Sequence, residues 1–172
     1  YGLVGSEMCI RDRLAGEGAS PDAKDENGDP AMWLAAERGH TAAVEALLRL
    51  GADPNARPPD PMALGGFTAL MGAACHGHAG IVGALLQGSA AVDAVDSDRS
   101  TALMLAASIG DIDFARVLVG AGATVDSMDS EQENCTALNI ACRANHLEMV
   151  KYLITEAGAD PNLGADDGHH VT

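Results

Sequence analysis

Thr68-Ala69-Leu70-Met71, Thr101-Ala102-Leu103-Met104 and Thr136-Ala137-Leu138-Asn139 are one phrase written three times, at intervals of 33 and 35 residues. Pro30-Ala31-Met32-Trp33 stands in the same frame 38 residues before the first. Self-similarity near this period marks a stacked-repeat architecture. Each unit is too small to bury its own apolar face, so stability comes from neighbours and function from the long surface they share. The pattern points toward a partner and away from a catalytic pocket.

Each phrase runs on in step, through Ala35-Ala36-Glu37-Arg38-Gly39-His40, Ala73-Ala74-Cys75-His76-Gly77-His78, Ala106-Ala107-Ser108-Ile109-Gly110-Asp111 and Ala141-Cys142-Arg143-Ala144-Asn145-His146. A short first helix therefore stops at Gly or Asn, the residues that best tolerate a left-handed cap. A second helix follows, with apolar residues at i, i+3 and i+4: Val44, Leu47 and Leu48, then Ile81, Val82, Leu85 and Leu86, then Val117, Leu118 and Val119. It ends at Gly51-Ala52-Asp53-Pro54-Asn55, Ser89-Ala90-Ala91-Val92-Asp93, Gly122-Ala123-Thr124-Val125-Asp126 and Gly158-Ala159-Asp160-Pro161-Asn162.

This pattern resembles the ankyrin repeat, whose consensus runs from a Thr-Pro-Leu-His turn through Ala-Ala and Gly-His to Gly-Ala-Asp-x-Asn. The resemblance covers Leu14 to the C-terminus and implies an all-α fold, a solenoid of stacked helix-turn-helix units with short hairpin loops. The frame sets repeats at 24–56, 57–94, 95–127 and 128–163, with the end of an earlier repeat at 14–23 and the start of another at 164–172. Ala31, Ala69, Ala102 and Ala137 replace the consensus Pro, keeping a good helix former. Trp33, Met71, Met104 and Asn139 replace the consensus His, so weaker ties in the hairpins are expected. The second repeat carries five extra residues before Thr68, including Arg57-Pro58-Pro59-Asp60-Pro61, and the fourth carries two before Thr136. Insertions of this kind map to loops on one face, often the binding face.

Residues Leu3 to Arg13 fit no position of the repeat and resemble the translated adapter of a transposase-based sequencing library. Residues 1–13 are accordingly read as a processing scar and left out of the functional reading. That removes Cys9 and leaves Cys75, Cys135 and Cys142, an odd number with no disulfide framework. The family resemblance and reduced thiols together imply an intracellular, cytoplasmic setting.

Composition narrows the function classes. The net charge is −15, from 25 acidic and 10 basic residues. An acidic surface repels phosphate backbones, so nucleic acid is not an expected partner. A protein with a basic surface is favoured electrostatically. No run approaches the roughly 18 apolar residues of a membrane span, and the module is expected to act as a monomer. Aromatics make up only 3%, so each helix contact buries little area and the interfaces between repeats decide stability.

No catalytic constellation stands out. There is no phosphate-cradling glycine loop followed by Lys and no G-x-S-x-G, and Asp53, Asp93, Asp126 and Asp160 read as turn residues. Cys75-His76-Gly77-His78 lacks the second ligand pair of a structural zinc site. His169-His170 reads as sequence at the edge of a further repeat. No enzyme activity, cofactor or metal is therefore expected. The resemblance marks hairpin tips and the exposed side of each first helix as the concave binding face. The corresponding positions include Glu37 and Arg38, Phe67 and His76, Ser108 and Ile109, and Cys135 and Arg143. Phe67 and Ile109 are the sharpest, since a large apolar side chain at a solvent position suggests an anchor. Phe67, His76, Ile109 and Arg143 are read as the centre of a protein-binding groove. The alternative is a targeting or regulatory array attached to an enzyme or channel. By resemblance, Asn55 and Asn162 are further candidates for asparagine hydroxylation.

Overall fold

The computed structural model describes residues 20–59, 66–129 and 135–163. The readings made for 1–13, 14–19, 60–65, 130–134 and 164–172 lie outside these residues. The chain divides into two compact units, Tyr1–Ala91 and Val92–Thr172. The first holds α1 (Ala31–Glu37), α2 (Thr41–Arg49), α3 (Ala69–Cys75) and α4 (Ala79–Gln87). The second holds α5 (Ala102–Ile109), α6 (Ile112–Gly120), α7 (Ala137–Arg143) and α8 (Leu147–Thr155). Among the described residues there is no strand, only the isolated bridges Lys24–Pro30 and Val95–Thr101 that close two hairpins. Within each unit the first helices pack together, α1 on α3 and α5 on α7, and so do the second helices, α2 on α4 and α6 on α8. The fold is an all-α stack of helix-turn-helix repeats.

The Thr of the repeated phrase starts each first helix. The Oγ1 atoms of Thr68, Thr101 and Thr136 accept the N–H of Met71, Met104 and Asn139 at 3.2, 3.3 and 3.4 Å. Each satisfies one of the orphan donors at a helix N-terminus. The return bond varies with the residue that replaced His. Asn139 Oδ1 accepts both the N–H and the hydroxyl of Thr136, at 2.9 and 2.8 Å. Met104 offers only its sulfur to Thr101 N–H, at 3.4 Å. Pro30 begins α1 with no side-chain cap. Of the two return bonds, that to the Asn139 amide oxygen is the stronger and that to the Met104 sulfur the weaker.

The second helices bury a narrower stripe than the sequence suggested. In α6 the buried residues are Phe114, Ala115 and Leu118, whereas Val117 is 41% exposed. Phe114 and Leu118 lie four apart on one face, and Val117 lies a further 100° round the helix. In α2 and α4 Val44, Leu47, Ile81, Val82 and Leu85 are buried as expected, while Leu48 and Leu86 are half-buried.

Two joints recur from repeat to repeat within each unit. The fifth residue of the Gly-Ala-Asp-x-Asn segment accepts a backbone N–H from the third residue of the next such segment. Asp22 accepts from Asp53 at 2.8 Å and Asn55 from Ala91 at 2.8 Å. In the second unit Asp93 accepts from Thr124 at 2.9 Å and Asp126 from Asp160 at 3.1 Å. Each side-chain oxygen thus supplies the acceptor that an irregular loop backbone would otherwise lack.

The second joint uses the Gly-His pair. His78 Nε2 donates to the Glu37 carbonyl at 3.2 Å, and His146 Nε2 donates to the Ser108 carbonyl at 3.0 Å. The incoming ring needs a glycine beneath it. A Cβ on Gly39 would lie 2.8 Å from the His78 ring, and one on Gly110 would lie 2.8 Å from the His146 ring. Both glycines also hold a left-handed backbone, with φ of 79° and 81°, so two constraints select the same residue. In the third repeat Asp111 stands in the His place and caps its own helix, accepting Phe114 N–H at 3.0 Å.

Candidate functional site

Outward residues of the first helices are fixed by what the helices bury. In α1 the inner face is Met32, Trp33, Ala35 and Ala36, which leaves Arg38 exposed and Glu37 half-buried at its end. In α3 six consecutive residues from Ala69 to Ala74 are buried. Cys75 is half-buried and His76 exposed. In α5 Ser108 is exposed and Ile109 is 48% exposed. Arg143, at the end of α7, is exposed. These positions are the seventh and eighth residues after the Thr or Pro that opens each repeat.

His76 has one nitrogen committed. Its Nδ1 pairs with the Gly72 carbonyl at 2.9 Å, and a carbonyl can only accept, so Nδ1 carries the proton. Its ring stacks on His78 at 6.0 Å with an interplanar angle of 15°, which holds Nε2 on the outer side as the ring's remaining polar atom. Ser108 turns its hydroxyl back to the Leu105 carbonyl at 2.9 Å. Phe67 is half-buried. The residue before it receives Arg57 Nη1, which donates to the Gly66 carbonyl at 3.2 Å, so the proline-rich arm folds back toward the start of α3.

Two positions differ from their sequence reading. Cys135, grouped with the outward residues, is 4% exposed. Its N–H donates to Asp129 Oδ1 at 2.8 Å and its carbonyl accepts Asp129 N–H at 3.1 Å, so it closes the hairpin and turns its small apolar side chain inward. Trp33, read as a replacement for the consensus His of the hairpins, is 3% exposed between α1 and α3. The nearest heavy atom to a Cβ built on Gly72 is Trp33 Nε1, at 3.8 Å. Corresponding positions in the third and fourth repeats hold Leu105 and Ile140, so the large indole of one repeat is matched by a missing side chain in the next. Nε1 has no hydrogen-bond partner among the described residues.

Two outward residues just before the hairpin Asp are absent from the sequence reading. Val95 is 37% exposed and Met128 is 42% exposed. Each lies two residues after its ladder acceptor, where the first unit has Lys24 and Arg57. Those two charged residues were the available signal that this place faces solvent. Three hairpins are tied by a single aspartate. Asp25 Oδ1 accepts Asn27 and Asp29 N–H at 2.9 Å each, Asp96 Oδ1 accepts Asp98 and Ser100 N–H at 2.9 and 2.8 Å, and Asp129 holds Cys135.

Among the described residues no group of three or more His, Cys, Asp or Glu could hold a metal ion. No helix among them is long and apolar enough to cross a membrane. Among the described residues Cys75, Cys135 and Cys142 form no disulfide. A family model described as ankyrin repeats, in three copies, matches residues 5–96 and 80–165. No curated protein matches the chain. The chain belongs to the ankyrin-repeat family. Ankyrin repeats are generally protein–protein interaction modules and are typically non-catalytic.

Proposed function

We propose that this chain is a non-catalytic adaptor module that binds a partner protein through the outward residues of its first helices and hairpins. The contact residues are Glu37, Arg38, Phe67 and His76 in the first unit, and Ser108, Ile109 and Arg143 in the second. Ile109 carries the reading. It ends a helix whose other apolar side chains are buried or half-buried, yet it is 48% exposed, and an apolar group left in water without a structural use fits a binding anchor. An intracellular, reducing setting suits the described cysteines Cys75, Cys135 and Cys142, which form no disulfide. The module works as a monomer.

The test uses the whole chain as bait. Partners captured from an extract are re-expressed and their affinity measured against Ile109→Ala and Phe67→Ala, alone and together. A loss of about tenfold or more in the double variant, with unchanged thermal unfolding, supports the placement. Unchanged affinity moves the contact elsewhere. Exposed Ile109 gives the larger share of the loss and half-buried Phe67 the smaller.

A further inference from the structure

We propose that the second unit docks a basic, amphipathic helix of its partner across the two hairpin arms that carry Val95 and Met128. This rests on the protein-binding reading and names the partner's chemistry. Exposed large apolar residues are unevenly shared between the units. Among the described residues Val95, Ile109, Val117, Met128, Leu147 and Ile154 belong to the second, and Leu50 to the first. Of these, Val95 and Met128 occupy one and the same place in successive repeats, so they form a row rather than a scatter.

What surrounds the row selects its occupant. Among the described residues of these two arms five carboxylates, those of Asp93, Asp96, Asp98, Asp126 and Asp129, stand against one cation, Arg99. Most are held in place: Asp93, Asp96, Asp126 and Asp129 each accept backbone N–H groups. Those bonds orient the carboxylates without cancelling their charge, so pairing with an incoming cation costs little further ordering. An apolar row rimmed by fixed anions suits a segment with apolar residues on one side and Lys or Arg beside them. Packed first helices such as α5 and α7 lie about 8–10 Å apart, and the two arms precede these helices in the chain. A helix rises about 1.5 Å per residue, so its residues i and i+7 span the row. The first unit places Lys24 and Arg57 at the same two positions and repels this segment, which gives selectivity between units.

The experiment measures fluorescence anisotropy of labelled peptides against the full chain. One probe is a Lys/Ala helix with Leu at i and i+7; a second replaces its Lys by Glu; a third replaces its Leu by Ala. The first binds best and weakens as salt is added. Val95→Thr with Met128→Gln, which leaves the charge unchanged, lowers its affinity about tenfold or more. Circular dichroism confirms that this variant is folded, as expected for two exposed positions. Lys24→Val with Arg57→Met, conversely, adds a second site. Equal binding of the Glu probe, no binding of the Lys/Leu probe, or an indifferent Val95/Met128 variant each overturns the proposal. A displayed peptide library then separates the two readings. Selected peptides that lose affinity with Ile109→Ala but ignore Val95 and Met128 leave the protein-binding reading standing and remove this one. No selected peptide at all removes both.

Discussion

Each unit is held together internally by the same chemistry as the other, and the two face the solvent with different chemistry. Gly39 receives His78 in the first, and Gly110 receives His146 in the second. Asp22 and Asn55 serve the loops of one as Asp93 and Asp126 serve those of the other. Outward places diverge: Lys24 and Arg57 against Val95 and Met128, and Arg38 and His76 against Ile109 and Ala144. In a repeat protein each joint must suit its neighbour, which restricts the buried positions, whereas an outward residue answers only to water or to a partner. Divergence between the units is therefore expected at the outward positions.

The largest effects test whether the joint is common to both units. Gly39→Ala and Gly110→Ala each force a Cβ into a His ring at 2.8 Å and onto a left-handed backbone, so each costs roughly 2–4 kcal/mol in urea unfolding. Gly77→Ala is the control, with φ of 71° and nothing within 4 Å of the added atom. It costs the backbone term alone, about 1 kcal/mol. Adding His146→Ala to Gly110→Ala relieves the clash, and the same holds for His78→Ala with Gly39→Ala. Equal losses in all three alanine variants would show that the rings move aside freely and that the joint contributes little.

Helix caps come next and separate the units. Thr136 both caps α7 and is capped in return by Asn139, whereas Thr68 has only the first half of that exchange. Thr136→Ala therefore loses about 2 kcal/mol and Thr68→Ala about 1 kcal/mol, the upper end and the middle of the usual range. Asn139→Leu should bring Thr136→Ala down to the Thr68 value. If the two Thr variants lose the same amount, the return bond adds nothing.

Most of the stack was legible in the sequence because the signals that set it are local. Thr before an apolar run, Gly where the chain reverses, and a helical stripe each act within a few residues. Features that depend on the facing repeat were not legible. The exchange of size between Trp33 and Gly72 needs the knowledge that the third helical residue of one repeat meets the fourth of the next. Cys135 was misplaced because an insertion shifts where its hairpin closes, and the Asp129 bonds that draw it inward cross that insertion. Val117 was assigned to the stripe because three consecutive apolar residues hide which one continues the face of Phe114. Outward residues were found where a repeat position repeats its exposure, as at Ser108 and Ile109, and missed at Val95 and Met128.

A smaller effect favours the first unit. Helix α4 carries Gly80 and Gly83, and a Cβ at either position meets nothing within 4 Å. Alanine at each raises stability by about 0.5–1 kcal/mol, through lower chain entropy in the unfolded state. Gly72→Ala in α3 gains a similar amount, since its Cβ would make ordinary contacts at 3.8–3.9 Å with Trp33 and Glu37. A loss at Gly72 would mean that the space beside the indole serves a purpose other than packing.

The smallest effect concerns how the second helices meet. In the first unit Leu48 presses on the bare backbone of Gly88, where a Cβ would lie 2.5 Å from Leu48 Cδ2. In the second, Arg116 lies over the Tyr152 ring at 4.8 Å and pairs with both oxygens of Glu156 at 2.6 and 2.9 Å. Burial raises the Tyr152 phenol above its ordinary value, Arg116 partly offsets this, and Glu156 adds to it. The folded protein therefore holds this proton more tightly than the unfolded chain, whose tyrosine titrates near about 10. Its contribution to stability is fully present below that value and is lost as pH rises from there through the folded pKa. With Tyr1→Phe leaving Tyr152 as the single phenol, UV-difference titration should find its midpoint above about 10. Arg116→Ala should move it higher still, because the offsetting cation is gone. A midpoint that falls in that variant would mean the guanidinium acts mainly by covering the ring from water, and the second unit's outer joint would then be packing, as it is in the first.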